Sequence, residues 1–242
     1  QHHLWNDASG ILTWMSQSAY PSFVWQTYDY YYDLNGAYWG VRKACEPLHI
    51  QWNPATDEVE VVNYSAGTHK GLTAKVQVLN MDASVAWEKE ATVDSNEDTT
   101  DKCIKLEFPE NLSKVHFIKM TLTEDGKVVS DNFYHRSLEE NNYQDLCQLA
   151  KVALQSATTV DKNADGTWSA VSVIENKTST PALMIRLNVV DGKDDQQILP
   201  VFYSDNYFSL LPGEKKEVRM SWRDEDTRGN EGKVLITGYN VE

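Results

Sequence analysis

No run of about 18 apolar residues occurs in the sequence, the minimum length for a helix that crosses a bilayer, and no membrane partner is expected. Positive charge is scarce, with 22 Lys and Arg against 36 Asp and Glu, a formal charge of -14. Such a surface repels phosphate backbones, which excludes nucleic acid but leaves neutral sugars and proteins open as partners. Cysteine is rare and odd in number: Cys45, Cys103 and Cys147 form no CxxC pair. Neither a zinc site nor a redox motif is supported, and all three read as free thiols that act as small buried hydrophobes. Catalytic signatures are missing too. There is no GxSxG, no HExxH and no phosphate-cradling glycine loop, so no catalytic residue, metal ligand or cofactor is nominated.

What is present suffices for two folded domains. The chain has 242 residues, of which 41% are hydrophobic and 24% charged, enough apolar surface for real cores and too much for a disordered tail. It opens on Gln1-His2-His3 rather than Met, which reads as a tag scar or a cut from a longer protein.

Composition changes near residue 47. Ile11-Leu12-Thr13-Trp14-Met15 is short, apolar and followed by Ser16-Gln17-Ser18, the pattern of a buried strand in a parallel sheet. Aromatics then dominate Phe23 to Tyr32, and a helix is predicted from Asn35-Gly36 to Cys45, stopped by Pro47. Beyond Pro47 the apolar period becomes two. Strands are predicted at 48–52, 59–62, 74–79, 86–91, 103–108, 115–122 and 128–134, with turns such as Glu124-Asp125-Gly126-Lys127 between them. A polar linker over 138–145 precedes a second set at 152–159, 168–175, 183–190, 198–203, 218–222 and 233–239. The predicted architecture is mainly β. A terminal βα remnant of a TIM barrel (1–46) precedes two immunoglobulin-like β-sandwiches (47–140 and 141–242).

Chemistry is concentrated in few places. Asp161 to Gly166 imitates half of a calcium loop, but position twelve is Ser172 rather than a bidentate Glu, so a hairpin turn is the simpler reading. His49, His69, His116 and His135 stand at separate strand or turn positions and read as ordinary residues. Trp14, Gln17 and Tyr20 stand at the C-terminal end of the predicted strand, the ligand-binding end of parallel βα architectures. Trp and Tyr rings stack on the C–H faces of sugars while polar neighbours bind hydroxyls. A second possibility is a free-standing carbohydrate-binding sandwich that presents Trp52, Trp87, Trp168 and Trp222 as coplanar, solvent-facing rings.

Trp14-Met15-Ser16-Gln17-Ser18-Ala19-Tyr20-Pro21-Ser22, with Trp25 to Tyr31 after it, resembles the eighth strand and following loop of glycoside hydrolase family 2 barrels. Within that family the exo-β-D-glucosaminidase and endo-β-mannosidase branch is the most similar. Ala37 to Gln51 continues the likeness, and Leu199 to Phe208, Leu210 to Glu214 and Gly238 to Asn240 resemble the terminal immunoglobulin-like domain of those enzymes. The resemblance implies a C-terminal accessory region of a retaining hydrolase of β-linked glycans, β-glucosaminide or β-mannoside. Trp14, Gln17, Ser18 and Tyr20 would bind substrate. Gln17-Ser18 departs from the Asn-Asn pair of the glucosaminidases, and Tyr20 from their Trp. The family's two catalytic glutamates would lie upstream of Gln1, so the chain alone is expected to be inactive. The expected partners are the glycan and the missing N-terminal barrel, with self-association through residues 1–46. The expected location is secreted or periplasmic.

Overall fold

The computed structural model describes residues 10–22, 26–64 and 66–242. They divide into two compact units. One holds Gly40–Gln148 with the described residues up to Thr13; the other holds Trp14–Trp39 and Leu149–Glu242. The division falls inside helix α1 (Gly36–Ala44). Asn35 explains where α1 starts. Its Oδ1 accepts the amides of Ala37 (3.0 Å) and Tyr38 (3.3 Å), groups with no partner inside the helix. Arg42 and Lys43 occupy the last turn, where positive charge complements the exposed carbonyls, and Pro47 follows.

The first unit contains β1 (Leu48–Asn53), β2 (Glu58–Asn63), β3 (His69–Asn80), β4 (Val85–Ser95), β5 (Thr99–Lys105), β6 (Val115–Glu124) and β7 (Lys127–Ser137). They form two antiparallel sheets, ordered β1-β2-β5 and β4-β3-β6-β7. Alternation does the work in β3, where Leu72, Ala74, Val76 and Val78 are fully buried and every second residue points away. Ile50, Val59, Val61, Ile118, Met120 and Leu122 complete the same core. The β6–β7 turn has positive φ at both Asp125 (48°) and Gly126 (75°), the twist-matched geometry that a two-residue hairpin favours.

An ionic network ties the end of α1 to β1 and β7. Lys43 Nζ donates to Asp131 Oδ1 (2.6 Å) and Glu46 Oε1 (2.8 Å), and Ser130 Oγ donates to Glu46 Oε2 (2.8 Å) while accepting the Ile50 amide. Burial alone would raise the Glu46 carboxyl, but His49, Lys43 and Ser130 outweigh it and hold the group below the usual carboxylate range. Burial likewise opposes the charge on Lys43, and Asp131 and Glu46 overcome it, which raises the ammonium.

The second unit is built from β8 (Gln155–Lys162), β9 (Thr167–Glu175), β10 (Ala182–Asp191), β11 (Phe202–Tyr203), β12 (Phe208–Leu210), β13 (Lys215–Arg223) and β14 (Gly232–Thr237). Its sheets run β11-β13-β9-β8 and β12-β10-β14 around Ala170, Ile174, Ile185, Leu187, Val189, Val218, Met220 and Trp222. Three buried asparagines take over where the ladders break. Asn240 accepts from the Leu183 amide (2.9 Å) and donates to the carbonyls of Ala150 (3.1 Å) and Pro181 (2.8 Å). Asn206 makes the same two-sided pairing with Leu187, and Asn176 donates to Thr180 and Leu210 carbonyls.

Two immunoglobulin-like sandwiches are therefore present, with corrections at the margins. The strand expected at Ile11–Met15 as part of a barrel remnant does not form. Ile11 is 82% exposed, and residues 14–22 pair only through an isolated bridge from Gln17 to Tyr28. A parallel strand needs ladder partners, and among the described residues none is supplied. The expected strand at 198–203 shrinks to β11, because Pro200 has no N–H to donate. The strand expected at 103–108 ends at Lys105, and Leu106 bonds the turn carbonyl of Asp57 instead. The strand expected at 152–159 starts later, at Gln155, while Val152 bridges Val241. β12 was not foreseen at all. No disulfide joins the three cysteines, but Cys45 and Cys147 are exposed rather than buried; only Cys103 is half-buried, with its thiol pushed up to about 12 by burial.

Two outcomes follow from these contacts. Asn240→Ala strands an amide and two carbonyls and should cost about 2–4 kcal/mol, read as a lowered urea midpoint of the second unit's transition. Glu46 contributes stability that is present above the ordinary carboxylate range and lost as pH falls through its lowered value. Glu46→Gln should therefore lower the melting temperature at neutral pH and flatten the acid limb of its pH dependence.

Candidate functional site

Among the described residues no ladder holds the segment from Trp14 to Trp39, so side chains and single bonds do so. The Ser16 carbonyl accepts the amides of Thr27 (3.2 Å) and Tyr28 (3.1 Å), which closes the loop over the intervening residues. Asn35 Nδ2 donates to the Gln26 carbonyl (2.7 Å) while its Oδ1 caps α1, so one side chain fixes both ends of the turn. Asp29 Oδ1 accepts the amides of Tyr31 (2.8 Å) and Asp33 (2.9 Å), a local Asx turn. Asp33 is ion-paired with Arg186 of β10, and the Arg186 guanidinium lies 5.9 Å from the centre of the Tyr207 ring. Aromatic edges complete the anchoring. Tyr28 meets Tyr38 at 5.7 Å, Tyr38 meets Trp39 at 5.4 Å, and buried Trp39 meets Tyr203 at 6.3 Å. The Tyr203 hydroxyl accepts the Val189 amide (3.0 Å), and burial pushes its phenol up to about 12.

On this frame the four expected sugar-contacting residues fare differently. Trp14 is 79% exposed and Tyr20 68% exposed, so both offer ring surface to solvent. Gln17 is half-buried at its bridge to Tyr28. Ser18 is buried, with its hydroxyl accepting from Ser22 Oγ at 3.3 Å. The left-handed backbone at Met15 (φ 62°) lies between Trp14 and Ser16. Trp25, part of the expected aromatic stretch, lies outside the described residues.

The surface of this loop suits stacking, not proton transfer. Residues 10–41 contain Asp29 and Asp33 but no Lys or Arg. Both carboxylates are committed, one to backbone amides and the other to Arg186. Among the described residues no group of three His, Cys, Asp or Glu side chains is placed to hold a metal. Asp165 spends its Oδ1 on the amide and hydroxyl of Thr167 within the β8–β9 hairpin, with Gly166 at φ 83°.

The alternative platform of tryptophans is not built. Trp222 is buried and stacks on Trp168 with rings 4° apart in plane and 6.4 Å between centres. Trp168 donates to Asp224 Oδ1 (2.7 Å), with Lys162 5.2 Å from its ring centre. Trp52 sits edge-on to Phe108 and Tyr134, and Trp87 packs on the first core. None of the four stands out as a large solvent-facing ring. Sequence reasoning missed Asp33, Arg186 and Tyr203 as supports of the loop. No local signal marks them, since Asp33 and Arg186 are 153 residues apart.

Comparison with known proteins agrees with this architecture. Residues 132–241 match the exo-β-D-glucosaminidase Ig-fold domain, and residues 57–137 match the mannosidase Ig/CBM-like domain. The chain is 32% identical over 97% of its length to the exo-β-D-glucosaminidase of Streptomyces avermitilis, of which it spans 28%. It is 24% identical to the mannosylglycoprotein endo-β-mannosidase of Lilium longiflorum, of which it spans 31%. The crystal structure of the Amycolatopsis orientalis exo-chitosanase superposes on 99% of this chain with a TM-score of 0.90 and 28% identity, the matched part being 31% of that enzyme. The chain belongs to the immunoglobulin-like domains of the exo-β-D-glucosaminidase and mannosidase branch of glycoside hydrolase family 2.

Proposed function

We propose that this chain is the C-terminal accessory region of a retaining family 2 hydrolase that acts on β-linked glucosaminides or mannosides. The sandwiches buttress a catalytic barrel carried elsewhere in the polypeptide, and Trp14, Gln17, Ser18 and Tyr20 contribute to its sugar-binding rim. The observation that carries this reading is the match over 97% of the chain to an exo-β-D-glucosaminidase of which the chain spans only 28%. Exposure of Trp14 and Tyr20 supports the rim role, because a stacking ring must be free to meet a sugar face. Ser18 acts from beneath, by fixing the loop through Ser22. Retaining chemistry needs two carboxyls about 5–5.5 Å apart across the scissile bond, and both belong to the barrel. Secretion or a periplasmic location fits a polymeric glycan substrate.

Residues 1–242 alone should show no turnover of aryl β-glucosaminide or β-mannoside, measured by release of the aryl alcohol at high protein concentration. Hydrolysis that disappears when one of this chain's own glutamates is changed would overturn the reading. In the full-length parent, Trp14→Ala should lower kcat/KM by about 2- to 13-fold, the worth of one aromatic stack at about 0.5–1.5 kcal/mol. Trp168→Ala should leave kcat/KM unchanged and lower the melting temperature instead, since its ring and Nε1 serve Trp222 and Asp224. The uncovered Ile11, Leu12 and Trp14 of the isolated chain should drive self-association through residues 1–46, visible by light scattering as a concentration-dependent mass.

A further inference from the structure

The sequence contains the acceptor pattern for asparagine-linked glycosylation three times, at Asn63-Tyr64-Ser65, Asn111-Leu112-Ser113 and Asn176-Lys177-Thr178. By sequence they are equivalent. The fold makes them different. Asn63, the last residue of β2, is 0% exposed; its Nδ2 donates to the Gly67 carbonyl (2.8 Å) and its Oδ1 accepts the Ala66 amide (3.2 Å). Asn176 is also 0% exposed, with Nδ2 shared between the carbonyls of Thr180 (2.8 Å) and Leu210 (2.9 Å) and Oδ1 held by the amide and hydroxyl of Thr178. A sugar on either nitrogen would have to occupy space filled by protein, and it would displace bonds that buried backbone carbonyls need.

Asn111 is the opposite case. It lies on the exposed turn Glu110–Asn111 between β5 and β6, next to Leu112, which is 7% exposed and anchors the turn in the first core. We propose that Asn111 is the position at which this fold can carry an asparagine-linked oligosaccharide, and that Asn63 and Asn176 are closed to one. In the transfer, the Asn111 amide nitrogen attacks the anomeric carbon of an oligosaccharide carried on a polyisoprenyl pyrophosphate. The new C–N bond forms as the carbon–oxygen bond to pyrophosphate breaks, the lipid pyrophosphate leaves, and the amide nitrogen gives up one proton. In the folded chain the Ser113 hydroxyl is already engaged, donating to the Val115 carbonyl (2.6 Å) and accepting the Met81 amide (2.9 Å). The transfer therefore belongs to the chain before it folds, and folding then selects which glycan can be retained. This is independent of the accessory role proposed above.

The test is secretory expression of the 242-residue chain in a host with an oligosaccharyltransferase, followed by intact mass and glycopeptide mapping of the soluble, folded fraction. One glycan on Asn111 is expected, with Asn63 and Asn176 bare, and Asn111→Gln should remove it entirely while leaving the melting temperature unchanged. If modification at the buried positions drives the chain into the insoluble fraction, the S65A/T178V double variant erases both of those acceptor patterns and keeps both asparagines. That variant should return soluble chain with the Asn111 glycan. Soluble folded protein that carries a glycan on Asn63 or Asn176, or soluble double variant that is bare at Asn111, would overturn the proposal.

Discussion

Buried asparagine side chains satisfy the backbone at three places where the ladders of the second unit stop, and much of that unit depends on the substitution. A buried amide or carbonyl without a partner costs about 1–3 kcal/mol, so a sandwich with short strands needs an alternative at each break. Asn240 bridges three main-chain groups from residues 150, 181 and 183, which lie 57 to 90 residues before it in sequence. Asn206 mimics a strand neighbour for Leu187 where the chain passes from β11, paired with β13, to β12, paired with β10. Asn176 does the same at the end of β9, beside the turn that precedes β13. These residues are buried polar groups with full partners, which is the condition under which burial of an amide adds order instead of strain.

The same device positions the exposed aromatic loop. Asn35 holds the Gln26 carbonyl with one end of its amide and the first turn of α1 with the other. Asp29 folds the tyrosine-rich turn onto itself, and Asp33 pins it to Arg186. Trp14 and Tyr20 face solvent, while Ser16, between them in sequence, is tied to Thr27 and Tyr28.

The two units use different ionic solutions for their attached pieces of the N-terminal segment. In the first, Lys43 and Glu46 at the end of α1 join Asp131, Ser130 and His49 in a half-buried network whose charges favour each other. In the second, a single half-buried pair, Asp33 with Arg186, is supported by ring packing from Tyr28 through Tyr38 and Trp39 to Tyr203.

The sequence by itself determined the elements whose information is local. Period-two burial in β3, β9 and β13, the Asp125-Gly126 hairpin turn, and α1 between Asn35 and Pro47 were all legible, because each depends on neighbours within a few residues, whereas β1 and β2, expected to alternate, are buried at nearly every residue. What only the tertiary structure decided concerns pairing at a distance. Ile11–Met15 reads as a strand by composition and fails to be one because no described segment offers it a ladder. Asp33 finds Arg186 across 153 residues, Trp168 finds Trp222 across the β9–β13 register, and three identical acceptor patterns become one exposed turn and two buried bonds. Composition names the side chain; its partners, and so its chemistry, are set by which strands the fold brings side by side.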